Sequence, residues 1–252
     1  MKVCDTIQML ESEKSRKLMA ALYGETAVEA NIERYQNLVK SFQKKFAEED
    51  ITLFSSPGRT EISGNHTDHN HGKVLAGSIN LDCVGVAAKN NSSKVHIISE
   101  TFNQSFIIDL NDLSPSDKKA GTIDLVKGLL QGFKESGYEV GGFNAYITSN
   151  VISAAGVSSS ASFEMLLCSI LNTFFNEGRM DTVAYAHIGK YSENVYWDKA
   201  SGLLDQMACA VGGLITIDFM EPASPVVEKI DFDFSSQNHS LIIVNTGKRS
   251  EE

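Results

Sequence analysis

A cluster of imidazole and carboxylate side chains lies in the stretch SGNHTDHNHGKVL, residues 63–75. His66, His69 and His71 fall within six positions, and Asp68 stands between them. Closely spaced imidazoles can bind zinc. Short polar side chains on a rigid turn can instead hold a polyhydroxylated molecule, because each buried hydroxyl needs a hydrogen-bond partner. A solvated turn between two strands is the third interpretation, and this stretch alone leaves all three open.

The zinc interpretation has an incomplete ligand set. Zinc hydrolases of the β-lactamase type use the spacing HxHxDH, and Gly64 stands where the first histidine would be. The other histidines, at positions 96, 187 and 239, lack a carboxylate at a supporting spacing. The sequence therefore gives little support for a metal hydrolase.

A second chemical feature is the run GVSSSAS, directly before a strongly apolar stretch. Ser158, Ser159 or Ser160 can cap the helix that this stretch predicts, and one serine is enough for a cap. Three consecutive serines beside Gly156 and Ala161 indicate more than a cap. Small residues let a ligand approach the free first-turn N–H groups, and the helix dipole attracts anions. The run therefore predicts an anion-binding cradle.

Two acidic residues follow in the stretch ENVYWDKASGLLDQ. Glu193 lies roughly 140° from Ile188 around a regular helix, off the apolar stripe, so it is predicted to point into a cleft. Asp205 follows Gly202 and begins a short helix. The alternatives are a surface acid for Glu193 and a dipole-stabilised first-turn acid for Asp205.

Composition and motif absences exclude several functional classes. The formal net charge of −10 over 252 residues argues against a broad nucleic-acid or anionic-membrane surface. Four cysteines without a CxxC pair predict reduced thiols and a cytoplasmic location. No signal-peptide pattern opens the chain, and no apolar run approaches the roughly 18 residues of a membrane span. No GxxxxGK[ST] occurs and no GxG appears among 19 glycines, so P-loop, Rossmann and protein-kinase interpretations fail.

Hydrophobic periodicity predicts the elements that must position these groups. Helices are expected at 26–48, 123–135, after GVSSSAS, in RMDTVAYAHIGKYSENVYW and at 203–210. Strands are expected in ITLFSSPG, which a Pro-Gly turn should end, in GFNAYITSN, in GGLITIDF and in SLIIVNT. KVLAGSINLDCVGVAAKN, KVHIIS and SFIIDL should form three antiparallel strands, with KNNSSK as a turn. Without strict βαβ alternation the class is α+β. We expect a helical lead-in at 1–50, one domain at 51–246 and a polar tail at 247–252.

Three stretches, in this order, resemble a known family. SPGRTEISGNHTDHNHGKVL resembles the signature PGRxxxxGxHTDxxxGxVL of galactokinases. GVSSSAS resembles the GLSSSAS phosphate-binding motif of the GHMP kinases (galactokinase, homoserine, mevalonate and phosphomevalonate kinases), and SGLLDQ resembles their GxMDQ segment. The resemblance runs from about residue 51 to residue 246. It implies the GHMP kinase N-terminal fold, similar to domain 2 of ribosomal protein S5, with a mixed, mainly antiparallel sheet and packed helices.

The resemblance also implies a function. It is that of a kinase which uses ATP and Mg²⁺ to transfer the γ-phosphoryl group to the C1 hydroxyl of galactose. Asp205 matches the aspartate proposed to take the proton of that hydroxyl, as a base or as an electrostatic orienter. Arg59 matches the arginine that holds this aspartate ionised and offsets charge on the transferring phosphoryl, since a neighbouring guanidinium favours carboxylate ionisation.

The same resemblance implies roles for the other site residues. Contacts with galactose are implied for Asn65, His66, Asp68 and Gly202. The ATP phosphates are implied to lie against the loop of Gly156, Val157, Ser158, Ser159, Ser160 and Ala161. Ser160 and Glu193 match the Mg²⁺ ligands, as hard oxygen donors that suit this ion. Galactose is the small-molecule partner, and the sequence leaves the oligomeric state open.

Several departures from the family pattern qualify these expectations. Asn65 stands where Glu is usual, which is expected to change sugar affinity or choice, and His69 replaces a usual Tyr. Ile152, Ala154 and Ala155 replace the commoner Pro and Gly, and alanine lacks the φ > 0 freedom of glycine. These changes are expected to weaken the nucleotide fit.

Members of the family have a second domain that carries a third glycine-rich motif. That motif is not found in these 252 residues. We therefore expect low or no kinase activity and an apolar surface where that domain should dock. The alternative function is a catalytically silent sensor of the same fold that binds sugar and nucleotide.

Overall fold

The computed structural model describes residues 1–64, 67–116, 121–153, 155–232, 234, 237 and 239–244. Within these residues the helices are α1 (Val3–Leu10), α2 (Glu13–Tyr23), α3 (Val28–Lys45), α4 (Thr122–Glu135), α5 (Ser159–Phe175), α6 (Thr182–Tyr191) and α7 (Leu204–Val211). The strands are β1 (Thr52–Ser63), β2 (Lys73–Lys89), β3 (Lys94–Ser99), β4 (Gln104–Asp109), β5 (Phe143–Ser149), β6 (Leu214–Asp218) and β7 (Val226–Ile230). Short 3₁₀ turns cover Glu25–Ala27 and Thr67–Asn70, and a π-helical turn covers Ser192–Tyr196. Among the described helices, none is long and apolar enough to cross a membrane.

The described strands form one mixed sheet built around β2. The order is β4-β3-β5-β2-β6-β7, and β1 pairs with β2 outside this path. β5 pairs with the C-terminal half of β2 from Cys83 onward, and β6 pairs with its N-terminal half as far as Gly77. The pairs are antiparallel except for β3 with β5. The α+β class and the mainly antiparallel sheet are therefore confirmed.

Helices cover both faces of the sheet at β2. Cys83 and Ala87 belong to the core formed with α4 and α5. Val84, Val86 and Ala88 belong to a second core, formed with α1, α2 and α3. Successive side chains of a strand point to opposite faces. The continuous apolar run of β2 thus reflects burial on both sides.

β1 continues through Pro57-Gly58, where the sequence predicted a turn. The register with β2 shifts between Pro57 and Arg59, so the strand has a bulge there and no end. A bulge tolerates proline, which lacks the N–H of the ladder. A Cβ on Gly58 would lie 2.8 Å from the Val157 carbonyl oxygen, so β1 passes directly beside the serine run. Arg59 directly follows this bulge, at the point where β1 passes beside the serine run.

Two further predictions about the sheet were wrong. β2 and β3 are not neighbours, because β5 lies between them and runs parallel to β3. Within the expected antiparallel trio, β3 and β4 do pair antiparallel, but β2 pairs with β5, a strand that lies far along the chain. SLIIVNT has no strand in its residues 240–244, and 245–246 lie outside the described residues. The last strand is instead β7, which local alternation did not reveal, and it pairs with β6.

Large apolar side chains are exposed in the segment after β6. They are Met220, Val226, Ile230, Phe232, Phe234, Leu241, Ile242 and Val244. The domain boundaries given above stay predictions.

Candidate functional site

An arginine–aspartate pair joins β1 to α7. Arg59 donates from Nε (2.8 Å) and Nη2 (2.6 Å) to Oδ1 of Asp205. Its Nη1 donates to the Gly156 carbonyl oxygen at 2.6 Å, in the loop before α5. The guanidinium is 7% exposed and the carboxylate 28%. The arginine is thus locked by three hydrogen bonds, while Asp205 keeps access to solvent.

The hydroxyl of Ser158 bonds to Asp205 of this pair and does not cap α5. Its backbone lies in the left-handed region, at φ 58° and ψ 57°, with no side-chain cap bond to the first turn. Its hydroxyl donates instead to Asp205 Oδ2 at 2.5 Å. A non-glycine residue in this region costs about 1 kcal/mol or more. Of the three serines that could cap the helix, Ser158 stands at the N-cap position, but its hydroxyl bonds to Asp205 and makes no cap bond.

Glu193 lies in the π-helical turn that follows α6. Its side chain is 1% exposed. Ser160 Oγ donates to its Oε1 at 3.2 Å, and Lys199 Nζ lies 2.7 Å from the same oxygen. The surface-acid alternative is therefore excluded. The angle predicted for a regular helix does not apply, because a π turn holds an extra residue.

A second buried carboxylate, Glu164, lies behind Glu193. Gln206 Nε2 donates to Glu193 Oε2 at 3.0 Å and to Glu164 Oε2 at 3.2 Å. Burial, followed by the charge of Glu193, raises the pKa of Glu164 well above its usual value. A Cβ on Gly189 would lie 2.8 Å from Glu164 Oε2, so this glycine makes room for the network. Sequence analysis missed Glu164, Lys199 and Gln206. The available signals were Glu164, the only charged residue of α5, and Gln206, the last residue of SGLLDQ.

Asp68 holds the start of α7. Its Oδ2 accepts from the backbone N–H groups of Leu203 (3.0 Å) and Leu204 (3.3 Å). A Cβ on Gly202 would lie 1.6 Å from that oxygen, so a side chain at position 202 would displace the carboxylate. Oδ1 lies 3.3 Å from His69 Nδ1. The bonds to the two backbone N–H groups give Asp68 a structural role, and the sugar contacts predicted for Asp68 and Gly202 stay predictions.

The histidine cluster does not assemble as a metal site in the part of the chain that the structure describes. There, no three His, Cys, Asp or Glu side chains group so that they could hold a metal ion. His71 Nδ1 contacts the Met220 carbonyl oxygen at 3.1 Å. Asn65, His66 and Ala154 lie outside the described residues, so the sugar contacts predicted for the first two stay predictions.

Two cavities open beside these groups. The acid cavity, of about 290 Å³, is lined by Asp68, His69, Lys199, Ala200, Ser201, Gly202, Asp205 and Gln206. The serine cavity, of about 580 Å³, is lined by Ser99, Phe102, Gln104, Phe106, Thr122, Leu125, Ser153, Gly156, Ser159, Ser160, Phe163, Trp197 and Lys199. Val157 and Ala161, predicted for the cradle, have buried side chains, so they can face a ligand only through their backbone. Lys199 lines both cavities.

Two family models match the chain. The galactokinase galactose-binding signature matches residues 40–89, and the GHMP kinases N terminal domain matches residues 124–213. The galactokinase of Clostridium tetani is 31% identical over 214 residues, which cover 85% of this chain and 54% of that protein. The galactokinase of Clostridium perfringens strain 13 is 35% identical over 219 residues, covering 85% and 56%. The chain spans about half the length of the curated relatives it matches.

Solved structures agree with these matches. The galactokinase of Lactococcus lactis complexed with galactose has a TM-score of 0.71 and 29% identity, covering 79% of this chain and 53% of that one. The mevalonate kinase of Methanococcus jannaschii has a TM-score of 0.60 at 17% identity, covering 74% and 58%, and supports the fold alone. The chain thus has the N-terminal fold of the GHMP kinases and belongs to that superfamily. Within it, the chain corresponds to the N-terminal portion of galactokinases.

Proposed function

We propose that the protein transfers the γ-phosphoryl group of ATP to the C1 hydroxyl of galactose. The observation that carries this proposal is the pair of Arg59 and Asp205, which opens onto the acid cavity beside the serine loop. The galactose-binding signature over residues 40–89 supports galactose as the acceptor. The free cysteines, three of them buried, are consistent with the reduced, cytoplasmic setting that we also propose.

Asp205 is proposed to act on the acceptor hydroxyl. Its Oδ2 accepts one hydrogen bond, from Ser158, and its side chain has access to solvent. A substrate hydroxyl can therefore approach that oxygen and give up or share its proton there. Arg59 favours the ionised carboxylate and places positive charge where phosphoryl charge develops.

The serine loop is proposed to hold the ATP phosphates. Gly156, Ser159 and Ser160 line the serine cavity, and the N–H groups at the start of α5 offer donors to an anion. Phe102 and Trp197 on the same cavity provide apolar surface for a base. Phosphoryl transfer asks mainly for positioning and charge neutralisation, which this arrangement can supply.

Ser160 and Glu193 are proposed to hold Mg²⁺. Their oxygens lie 3.2 Å apart and are hard donors, so their chemistry fits the ion. The ion would neutralise phosphate charge when bound.

Galactose-dependent ADP release tests the proposed function. The expected result is ADP formation with galactose and none with mevalonate or homoserine. The same measurement on a longer version of the chain shows whether residues beyond these 252 are needed. Turnover of mevalonate or homoserine without any sugar turnover would reject the proposal.

The second candidate is the silent sensor. One observation favours it: the ammonium of Lys199 lies on the carboxylate oxygen proposed for the metal. Calorimetry with galactose and ATP separates the two candidates, because a sensor binds both ligands and releases no ADP.

A further inference from the structure

Lys199 lies between the acid and serine cavities and lines both of them. Its ammonium is 2.7 Å from Glu193 Oε1, and its backbone N–H donates to the Glu193 carbonyl oxygen at 3.0 Å. The amino group also lies 5.7 Å from the ring centroid of Trp197, the only tryptophan in the chain. The lysine side chain is 48% exposed, whereas the carboxylate it contacts is 1% exposed.

Glu193 needs a cation because of its surroundings. The carboxylate is 1% exposed and accepts hydrogen bonds from the neutral side chains of Ser160 and Gln206. An isolated buried charge is unfavourable unless it is paired. The ammonium of Lys199, 2.7 Å from Oε1, supplies that pairing charge.

The ammonium and a metal ion would compete for one oxygen. Ser160 and Glu193 are the proposed Mg²⁺ ligands, and Lys199 already contacts Oε1 of Glu193. Two cations at one carboxylate oxygen repel each other. We propose that Lys199 is the resident cation of this site, and that it moves from Glu193 to the phosphates of the nucleotide when Mg²⁺ binds.

The geometry permits this exchange. Lys199 has a flexible stem and a half-exposed side chain, and it lines the serine cavity together with Gly156 and Ser159. A short movement of the amino group therefore brings it toward a ligand in that cavity. The inference rests on the proposed function for the identity of the two ligands.

Lys199→Met tests the exchange through two affinities that should change in opposite directions. Without nucleotide, Mn²⁺ binding measured by electron paramagnetic resonance should tighten about tenfold, because no ammonium competes. Without metal, ATP binding measured by calorimetry should weaken about tenfold, because one phosphate contact is lost. A purely structural role would not tighten one and weaken the other. Lys199→Arg keeps the charge and should retain most of the ATP affinity.

Lys89→Met is the matched control. Lys89 also lies over an aromatic ring, 5.1 Å from the centroid of Phe175, but it lines neither cavity. This variant should bind both ligands as the unaltered chain does.

The outcomes separate the exchange from the proposed function. If the unaltered chain binds both ligands and Lys199→Met changes neither affinity, the exchange is overturned and the proposed function stands. If the unaltered chain binds neither ATP nor Mn²⁺ and Lys199→Met does not either, both are overturned. Should Lys199→Met fail to fold, the fluorescence emission of Trp197 in the unaltered chain tests the exchange instead. Saturating Mg²⁺ should change it as the ammonium leaves, and an unchanged emission contradicts the exchange.

Discussion

The two carboxylates of the site, Asp205 and Glu193, are neutralised in opposite ways. Asp205 has access to solvent, and its partner Arg59 is buried and held by three hydrogen bonds. Glu193 is buried, and its partner Lys199 is half-exposed, with its ammonium on one carboxylate oxygen. A buried, multiply bonded cation cannot leave, whereas an exposed lysine can. Under the proposed roles, Arg59 is a permanent cation beside the carboxylate that acts on the acceptor, and Lys199 is an exchangeable one beside the carboxylate that holds the metal.

Asp205→Asn should have the largest effect. Loss of the group that acts on the acceptor hydroxyl should lower galactose-dependent ADP release about a thousandfold, while ATP affinity by calorimetry stays close to that of the unaltered chain. Asp218→Asn is the control, because Asp218 pairs with Lys73 in the sheet and lines neither cavity of the site. Turnover preserved in Asp205→Asn would remove this residue from the mechanism.

Arg59→Lys replaces the buried guanidinium beside Asp205 with an ammonium that can leave. One ammonium cannot replace both the bonds to Asp205 and the bond to Gly156. Turnover should fall about a hundredfold. Arg34→Lys is the matched control, since Arg34 forms a similar pair with buried Asp82. It should lower the free energy of unfolding without a specific loss of turnover. Equal turnover losses in the two variants would contradict a special role of Arg59.

Gly202→Ala tests how Asp205 is positioned. The new Cβ would displace Asp68 from the start of α7, and the free energy of unfolding should fall by about 2 kcal/mol. Gly77→Ala is the control, because a Cβ there would meet its nearest described neighbours at 3.6 Å. Chemical denaturation of both variants measures the difference. Equal stability of the two would show that the Asp68 contact contributes little.

Glu164→Gln should have an effect on the free energy of unfolding that depends on pH. The pKa of Glu164 is raised in the folded state, so its contribution to stability is complete below the unfolded value of about 4.5 and is lost as pH rises. Because glutamine does not ionise, the variant does not lose stability in this way as pH rises. Its stability relative to the unaltered chain should therefore grow with pH, by up to about 1.4 kcal/mol per unit, until the folded pKa is reached. Urea denaturation at pH 5, 6.5 and 8 measures the trend, and a pH-independent difference would show that Glu164 is not protonated in the folded protein.

The sequence predicted that Arg59 and Asp205 lie together. It did not predict the contacts of Glu193 with Lys199 and Gln206. Arg59 and Asp205 stand in recognisable motifs, so their proximity could be expected although 146 residues separate them. Lys199 stands in no motif of that kind. Gln206 ends the SGLLDQ stretch, but its bonds to Glu164 and Glu193 depend on how α5, α6 and α7 pack. The role of Asp68 was hidden for a different reason: its main partners are backbone N–H groups, which every residue but proline carries.

The fold was predicted best where periodicity is local. α3 and α4 lie close to their predicted bounds. β2 and β3 each exist, but their supposed pairing does not, because strand order depends on β5. The bulge at Pro57 was also missed, because proline followed by glycine is as typical of a turn as of an irregular strand.

The π turn at Ser192–Tyr196 makes the length of this segment as important as its composition. Removing Ser192, the turn residue between α6 and Glu193, would rotate Glu193 by about 100° relative to α6. That deletion would carry the acid away from Ser160 and Gln206 although every contacting side chain was retained. Relatives that keep all the acidic and hydroxyl residues but differ by one position in this turn would therefore not be equivalent at the metal side.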